Sequence, residues 1–141
     1  MKNPATILAV LYGKGGLGDV GRHAVLAALE RDDVASVKVL SEHPESLNET
    51  NWKCGCLGGH NLTSEQRKRL EMIHVKNNWK DISGHFQGVT SIVSCLGTRQ
   101  PFLIGGRCAT AGSKAIVHAM KAHDITRVVS ITSMGLGDDY P

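Results

Sequence analysis

Five glycines crowd the nine residues Gly13-Lys14-Gly15-Gly16-Leu17-Gly18-Asp19-Val20-Gly21. Gly15, Gly18 and Gly21 fit G-x-x-G-x-x-G, and Gly16, Gly18 and Gly21 fit G-x-G-x-x-G. Both spacings do the same physical work. Positions without side chains let the chain turn sharply off a strand and let a pyrophosphate approach the backbone. The last glycine lets the following helix pack close to a sheet. Backbone N–H groups of the turn and of the helix start would face a diphosphate, and Lys14 adds a positive charge. Asp19 puts a carboxylate into the first helical turn, where it either opposes the anion or serves the helix dipole while pointing away from the ligand.

The same residues raise a rival chemistry. Gly13 to Gly18 spells G-x-x-x-x-G, the frame of a nucleoside-triphosphate loop. That loop needs Lys and then Ser or Thr directly after the last glycine, for the phosphates and Mg²⁺. Asp19 and Val20 stand there instead, and a carboxylate at that point repels phosphate. The dinucleotide spacing therefore reads better. Glu42, 21 positions after Gly21 and just past a second strand, supports it. An acidic residue there accepts hydrogen bonds from the adenine ribose hydroxyls, which favours NAD over NADP.

These residues need a sheet to bring them together. Thr6–Leu11 reads as an apolar, buried strand and 18–30 as a helix with Val20, Ala24, Ala27 and Ala28 on its packed face. Ser36–Leu40 reads as strand two, Glu71–Val75 as strand three, Ser91–Cys95 as strand four and Arg127–Ile131 as strand five. Residues 45–66 read mostly as loop, with a helical turn at Thr63-Ser64-Glu65. Asn77–Phe86 reads as a short helix ended near Gly88, Gly105-Gly106-Arg107 as a loop, and Thr110–His123 as a helix with Ile116, Val117, Ala119 and Met120 apolar. Strands alternating with helices predict an α/β fold with a doubly wound parallel sheet of about five strands. Ligands of such sheets sit outside the carboxyl ends of the strands, which gathers the loops 13–21, 41–44, 96–101 and 132–137. The candidate cofactor contacts are Gly13 to Val20, Glu42, Leu96, Gly97, Thr98, Arg99 and Thr132. Arg99 suits a phosphate or an acidic substrate. Ser133 is the candidate catalytic residue, offering a hydroxyl to the cofactor amide or a substrate carbonyl; with no His–Asp signature beside it, it is not read as a nucleophile.

Bulk properties restrict the function classes. The 141 residues make one domain, 1–141, with a loop insertion around 48–66. A net charge of +3, spread along the chain, argues against nucleic acid. Arg67-Lys68-Arg69 reads as a solvated helix face. The start of the chain has no secretory signal and the sequence no membrane span, so the expected compartment is cytoplasmic with reduced cysteines. Cys54-Gly55-Cys56 with His60 lacks the four ligands at recognisable spacing that zinc requires, so no metal is expected. Cys95 reads as core.

Taken together, the residues carry a resemblance. Gly15-x-x-Gly18-x-x-Gly21, Leu96-Gly97-Thr98-Arg99, Ala119-Met120-Lys121-Ala122-His123 and Val128-Val129-Ser130-Ile131-Thr132-Ser133 resemble the atypical short-chain dehydrogenase/reductase group, with its NAD(P)H-binding Rossmann folds. Within that group the chain is similar to the biliverdin-IXβ reductase/flavin reductase and NmrA-like members. The resemblance implies NAD or NADP as cofactor and a small-molecule acceptor, namely a flavin, an open-chain tetrapyrrole or a quinone-like compound. It equally implies a non-catalytic, regulatory dinucleotide-binding module, as in the NmrA-like proteins. The chain departs from the family at three places. Leu17 and Val20 stand where relatives often carry hydroxyl residues, Glu42 stands where a basic residue often reads the 2′-phosphate, and the family continues past the position of Ser133 by another strand–helix set. Without that set, strand five is expected to be an exposed edge open to self-association.

Overall fold

The computed structural model describes residues 6–12, 19–41, 62–75, 79–96 and 102–131. β1 is Thr6–Tyr12, α1 Asp19–Leu29, β2 Val34–Ser41, α2 Ser64–Arg69, β3 Leu70–His74, β4 Ser91–Cys95, α3 Phe102–Ala122 and β5 Val128–Ser130, with a 3-10 helix at Trp79–Phe86. The strands form one five-stranded sheet in the order β3-β2-β1-β4-β5. Every described strand pair is parallel. This is the doubly wound fold expected from the alternation of elements.

Period-two geometry divides the strand residues between two cores. Val37 and Val39 of β2 join Val25, Leu26, Ala28 and Leu29 of α1 on one face, with Val93 and Cys95 packed against them. Leu40 of β2 and Ile92 of β4 join Ile82 and Phe86 of the 3-10 helix and Ala115, Ile116 and Ala119 of α3 on the other. β2 and β4 thus contribute apolar side chains to both faces of the sheet.

The packed face of α1 differs from the sequence expectation. Val20 is 52% exposed and Ala27 is also exposed, whereas Val25, Leu26, Ala28 and Leu29 are buried. The small residues suggested one stripe, but the larger aliphatic side chains remove more apolar surface from water, and they set the rotation of the helix. Val117 of α3, 51% exposed, likewise turns away from the core that Ile116 and Ala119 enter.

The expected loop at Gly105-Gly106-Arg107 is instead part of α3, which begins at Phe102. Each glycine weakens a helix interior by about 1 kcal/mol relative to alanine, but the 21-residue helix carries the stripe Ala115, Ile116, Ala119 that anchors it to the core. Its far end stops at Asp124, whose φ of 54° is left-handed. Ile125 N–H then donates to Met120 O at 2.9 Å, closing the helix end in the Schellman manner. His123 Nε2 lies 2.7 Å from Ser83 O, tying this end to the 3-10 helix. A carbonyl only accepts, so Nε2 carries the hydrogen.

The turn expected at Thr63-Ser64-Glu65 grows into α2, nucleated by a reciprocal capping box between Thr63 and Gln66. The basic run at its end is not simply a solvated face. Lys68 pairs with Glu65 at the surface, but Arg69 reaches across to the backbone at the end of α1. On the far edge of the sheet β5 is exposed as expected, with Val128 at 42%, Val129 at 50% and Ile131 at 43%.

Candidate functional site

The connection of β1 through α1 to β2 moves the chain one way across the sheet. β4 then pairs on the other side of β1. The strand order therefore reverses at the β1–β4 pair, which makes a crevice at their carboxyl ends. Register fixes that edge: Tyr12 pairs with Cys95, Ser41 with His74, and Ser94 with Ser130. Each candidate loop leaves the sheet at this edge, directly after Tyr12, Ser41, Cys95 or Ser130.

The candidate residues divide accordingly. Asp19 opens α1 and Val20 stands exposed beside it, with Gly21 buried in the same turn. Leu96 follows β4 and is packed against the α3 core. Gly13 to Gly18, Glu42, Gly97 to Arg99, Thr132 and Ser133 lie outside the described residues, as do Cys54, Cys56 and His60. Topology still fixes where their segments leave the sheet. Glu42 is the residue after the last residue of β2, and Gly97 stands two beyond β4. Among the described residues, no group of three or more His, Cys, Asp or Glu side chains could hold a metal ion.

Two residues at this edge escaped the sequence reading. Gly112 faces Leu96 so closely that an added Cβ would lie 2.4 Å from Leu96 Cδ1. With no side chain at position 112, α3 lies against Leu96 in its present rotamer, and any larger residue there would push the Leu96 methyls aside. The second is Arg22, directly after Gly21. Its Nε is buried and has no hydrogen-bond partner. The signal was present in the sequence as a charged residue three, four and seven positions before Val25, Leu26 and Leu29, on the inward side of α1.

Cys95 is half-buried at the switch point, and burial pushes its thiol up to about 11. The thiol is thus protonated at neutral pH and is not a thiolate nucleophile there. The sign of the stability linkage follows. The folded value lies above the unfolded one, so this contribution is complete below about pH 9 and is lost as pH rises through about 11. Alkylation of Cys95 by iodoacetamide, followed by peptide mass mapping, is expected to be slow at pH 7.5 in the folded chain and fast in urea. Rapid labelling under native conditions would contradict the burial.

Residues 15–141 match the model of a family described as NAD(P)H-binding. The chain belongs to the NAD(P)H-binding family. A Rossmann-fold NAD(P)-binding family protein from Shigella flexneri superposes with a TM-score of 0.62 at 16% identity, covering 96% of this chain and 55% of that one. At that identity the likeness concerns the fold alone. The chain spans about half the length of this solved relative. No curated protein matches the sequence.

The residues present fit the dinucleotide of an NAD(P)H-binding domain. Gly21 is buried at the start of α1, so the helix packs closely there, as the third glycine of the motif requires. The first turn of α1 lies at the switch point, and a helix start is suited to an anion. Arg22 brings a buried Nε donor without a hydrogen-bond partner among the described residues.

Proposed function

We propose that this NAD(P)H-binding domain holds its dinucleotide across the β1–β4 crevice and acts as a reductase. The diphosphate would lie over the glycine turn and the start of α1, with the adenine ribose toward Glu42 and the nicotinamide toward the loops after β4 and β5. The observation that carries this reading is the glycine motif joining β1 to α1 at the reversal of strand order. The cofactor would supply the hydride, and the protein would orient it. Arg99 and Ser133 would position an acceptor that is flavin-like, tetrapyrrole-like or quinone-like, and Glu42 would favour NADH. The compartment consistent with this chemistry and with reduced cysteines is cytoplasmic. The exposed β5 edge offers a surface for self-association. Neither nucleic acid nor a membrane enters this reading, and among the described residues no helix is long and apolar enough to cross a membrane.

A second reading, a non-catalytic dinucleotide-binding module, is favoured by Leu17 and Val20. They stand where the glycine loops of related proteins often supply hydroxyls. Titration with NADH and NADPH, followed by turnover with FMN, biliverdin-like and quinone acceptors, separates the two. Binding with turnover supports the reductase. Binding without turnover on any acceptor leaves the module, and no binding of either nucleotide removes both.

A further inference from the structure

The two edges of the sheet are built differently. β3, at one edge, carries Glu71 and His74, both exposed. Charge on an edge strand is a common means of keeping it from pairing with another chain. β5, at the other edge, has no charged residue among Val128, Val129 and Ser130, and all three are exposed. Ile131 directly after it is exposed too, and neither it nor the two valines joins either core. β-branched side chains suit a paired strand with covered faces. Among the described residues, only β4 pairs with this strand.

Backbone geometry shows which groups are free. Ile92 N–H donates to Arg127 O, and Ile131 N–H donates to Ser94 O, both at 3.0 Å. These main-chain groups of Arg127 and Ile131 thus face β4. Direction alternates along a strand, so Val129 faces β4 as well, and Val128 and Ser130 turn their N–H and C=O groups to the open edge. The side chains follow the register. Val128 pairs with Ile92, which belongs to the core under α3, and Val129 pairs with Val93, which packs on the α1 side. Arg127, Val129 and Ile131 therefore share the α1 face of the sheet.

We propose that β5 pairs with β5 of a second copy of this chain, antiparallel about a twofold axis at Val129. The proposal specifies the self-association named above and is independent of the bound dinucleotide. An isologous contact must match its own image, and this strand does. With Val129 on the axis, Val128 stands opposite Ser130 of the second copy, and their free N–H and C=O groups exchange both hydrogen bonds. The two Val129 residues form a non-hydrogen-bonded pair, the kind whose side chains lie closest. Arg127 stands opposite Ile131, so no like charges face each other across the pair. That match favours a second copy over an unrelated strand. The pairing joins two five-stranded sheets into one and covers the apolar side chains of the edge. A three-residue strand makes a small contact, so the dimer is weak and the monomer prevails in dilute solution.

Sedimentation velocity from micromolar to millimolar chain provides the test. The unmodified chain is expected to shift from monomer to dimer across that range. Val129→Lys brings two like charges together on the axis and is expected to stay monomeric throughout. Ser130→Pro removes an N–H that β4 does not use, at a place where an edge strand tolerates proline, and should also stay monomeric. Circular dichroism checks that both variants fold. Cysteine reads the register: Val129→Cys should form an intermolecular disulfide under mild oxidation, located by peptide mapping, because the axial pair brings its Cα atoms within disulfide reach. Val128→Cys, opposite Ser130, should not. In the unmodified chain, protection of the Val128 and Ser130 amides from exchange should rise with concentration. Protection that is high at every concentration would show that another part of the same chain covers the edge, and overturns the proposal. A dimer that survives both edge variants keeps self-association but moves it to another surface, and overturns this pairing. A chain that stays monomeric at millimolar concentration removes self-association altogether.

Discussion

Methionine in place of Arg69 is expected to lower the free energy of unfolding by about 3 kcal/mol. One guanidinium at the α2–β3 junction donates to Arg31 O at 2.9 Å, to Val34 O at 2.8 Å and to Leu29 O. These carbonyls mark the end of α1 and the turn into β2. A helix end leaves four carbonyls without partners, and no glycine follows α1 to supply the usual left-handed cap. Arg69 takes that place from 35 to 40 residues away in sequence. Charge-assisted bonds to carbonyls are stronger than neutral ones, and losing the donor leaves partly buried acceptors unpaired. Methionine retains the packing of the stem and isolates the loss of the donors. Lysine retains the charge but not the planar fork and should recover only part of the loss. Urea unfolding with an unchanged slope provides the measurement. A change below about 0.5 kcal/mol would show that water replaces the guanidinium without penalty. By contrast, the nearby pair of Arg31 and Asp33 lies at the surface, and its loss should scarcely register, although Arg31 holds the Asp33 carboxyl below its usual range.

Replacing Glu42 by arginine is expected to move the ratio of NADPH to NADH affinity by about a hundredfold toward NADPH, the equivalent of one or two charge-assisted hydrogen bonds. β2 ends directly before this position. Ser41 is buried, its carbonyl accepts from Val75 N–H at 2.8 Å, and it pairs with His74 across the sheet. The next residue therefore leaves the sheet at the edge where an adenine ribose would lie in this fold. A carboxylate there accepts from the 2′- and 3′-hydroxyls and repels a 2′-phosphate, whereas arginine reverses both preferences. The unmodified chain should bind NADH more tightly. Tighter binding of NADPH by the unmodified chain would remove Glu42 from the specificity role.

Most of the architecture was legible because it rests on short-range rules. β4 follows the apolar run Ser91–Cys95 residue for residue, and Gly88, with its φ of 75°, ends the 3-10 helix where a glycine was read as a stop. The misreadings arose where packing overrules local preference. Gly105 and Gly106 looked like a loop because glycine disfavours helix, yet a 21-residue helix absorbs that cost once its later turns are buried. Val20 looked like part of a buried stripe because periodicity alone cannot say which of two apolar faces carries more area. Arg69 looked solvated because nothing in a basic run reveals that one member reaches another helix. The sheet edge from which the candidate loops leave was legible from the alternation of strands and helices. Arg22 and Gly112 were not, since one is identified by an unmet hydrogen bond and the other by an interatomic gap, and neither is a property of spacing.

The exposure of β5 has a consequence for how the sheet opens. Ile92, buried and in register with Val128, is shared between the deep core and a strand whose residues are more than a third exposed. Releasing β5 sacrifices little buried area and leaves β3, β2 and β1 with α1 intact, so the two flanks of the sheet should differ in local unfolding energy. Amide protons of Val128–Ser130 would then exchange with solvent long before those of Val37–Leu40. The β1–β4 crevice stays within the cooperative part of the sheet, because Ile92 anchors β4 in the core, and only the strand beyond it opens independently.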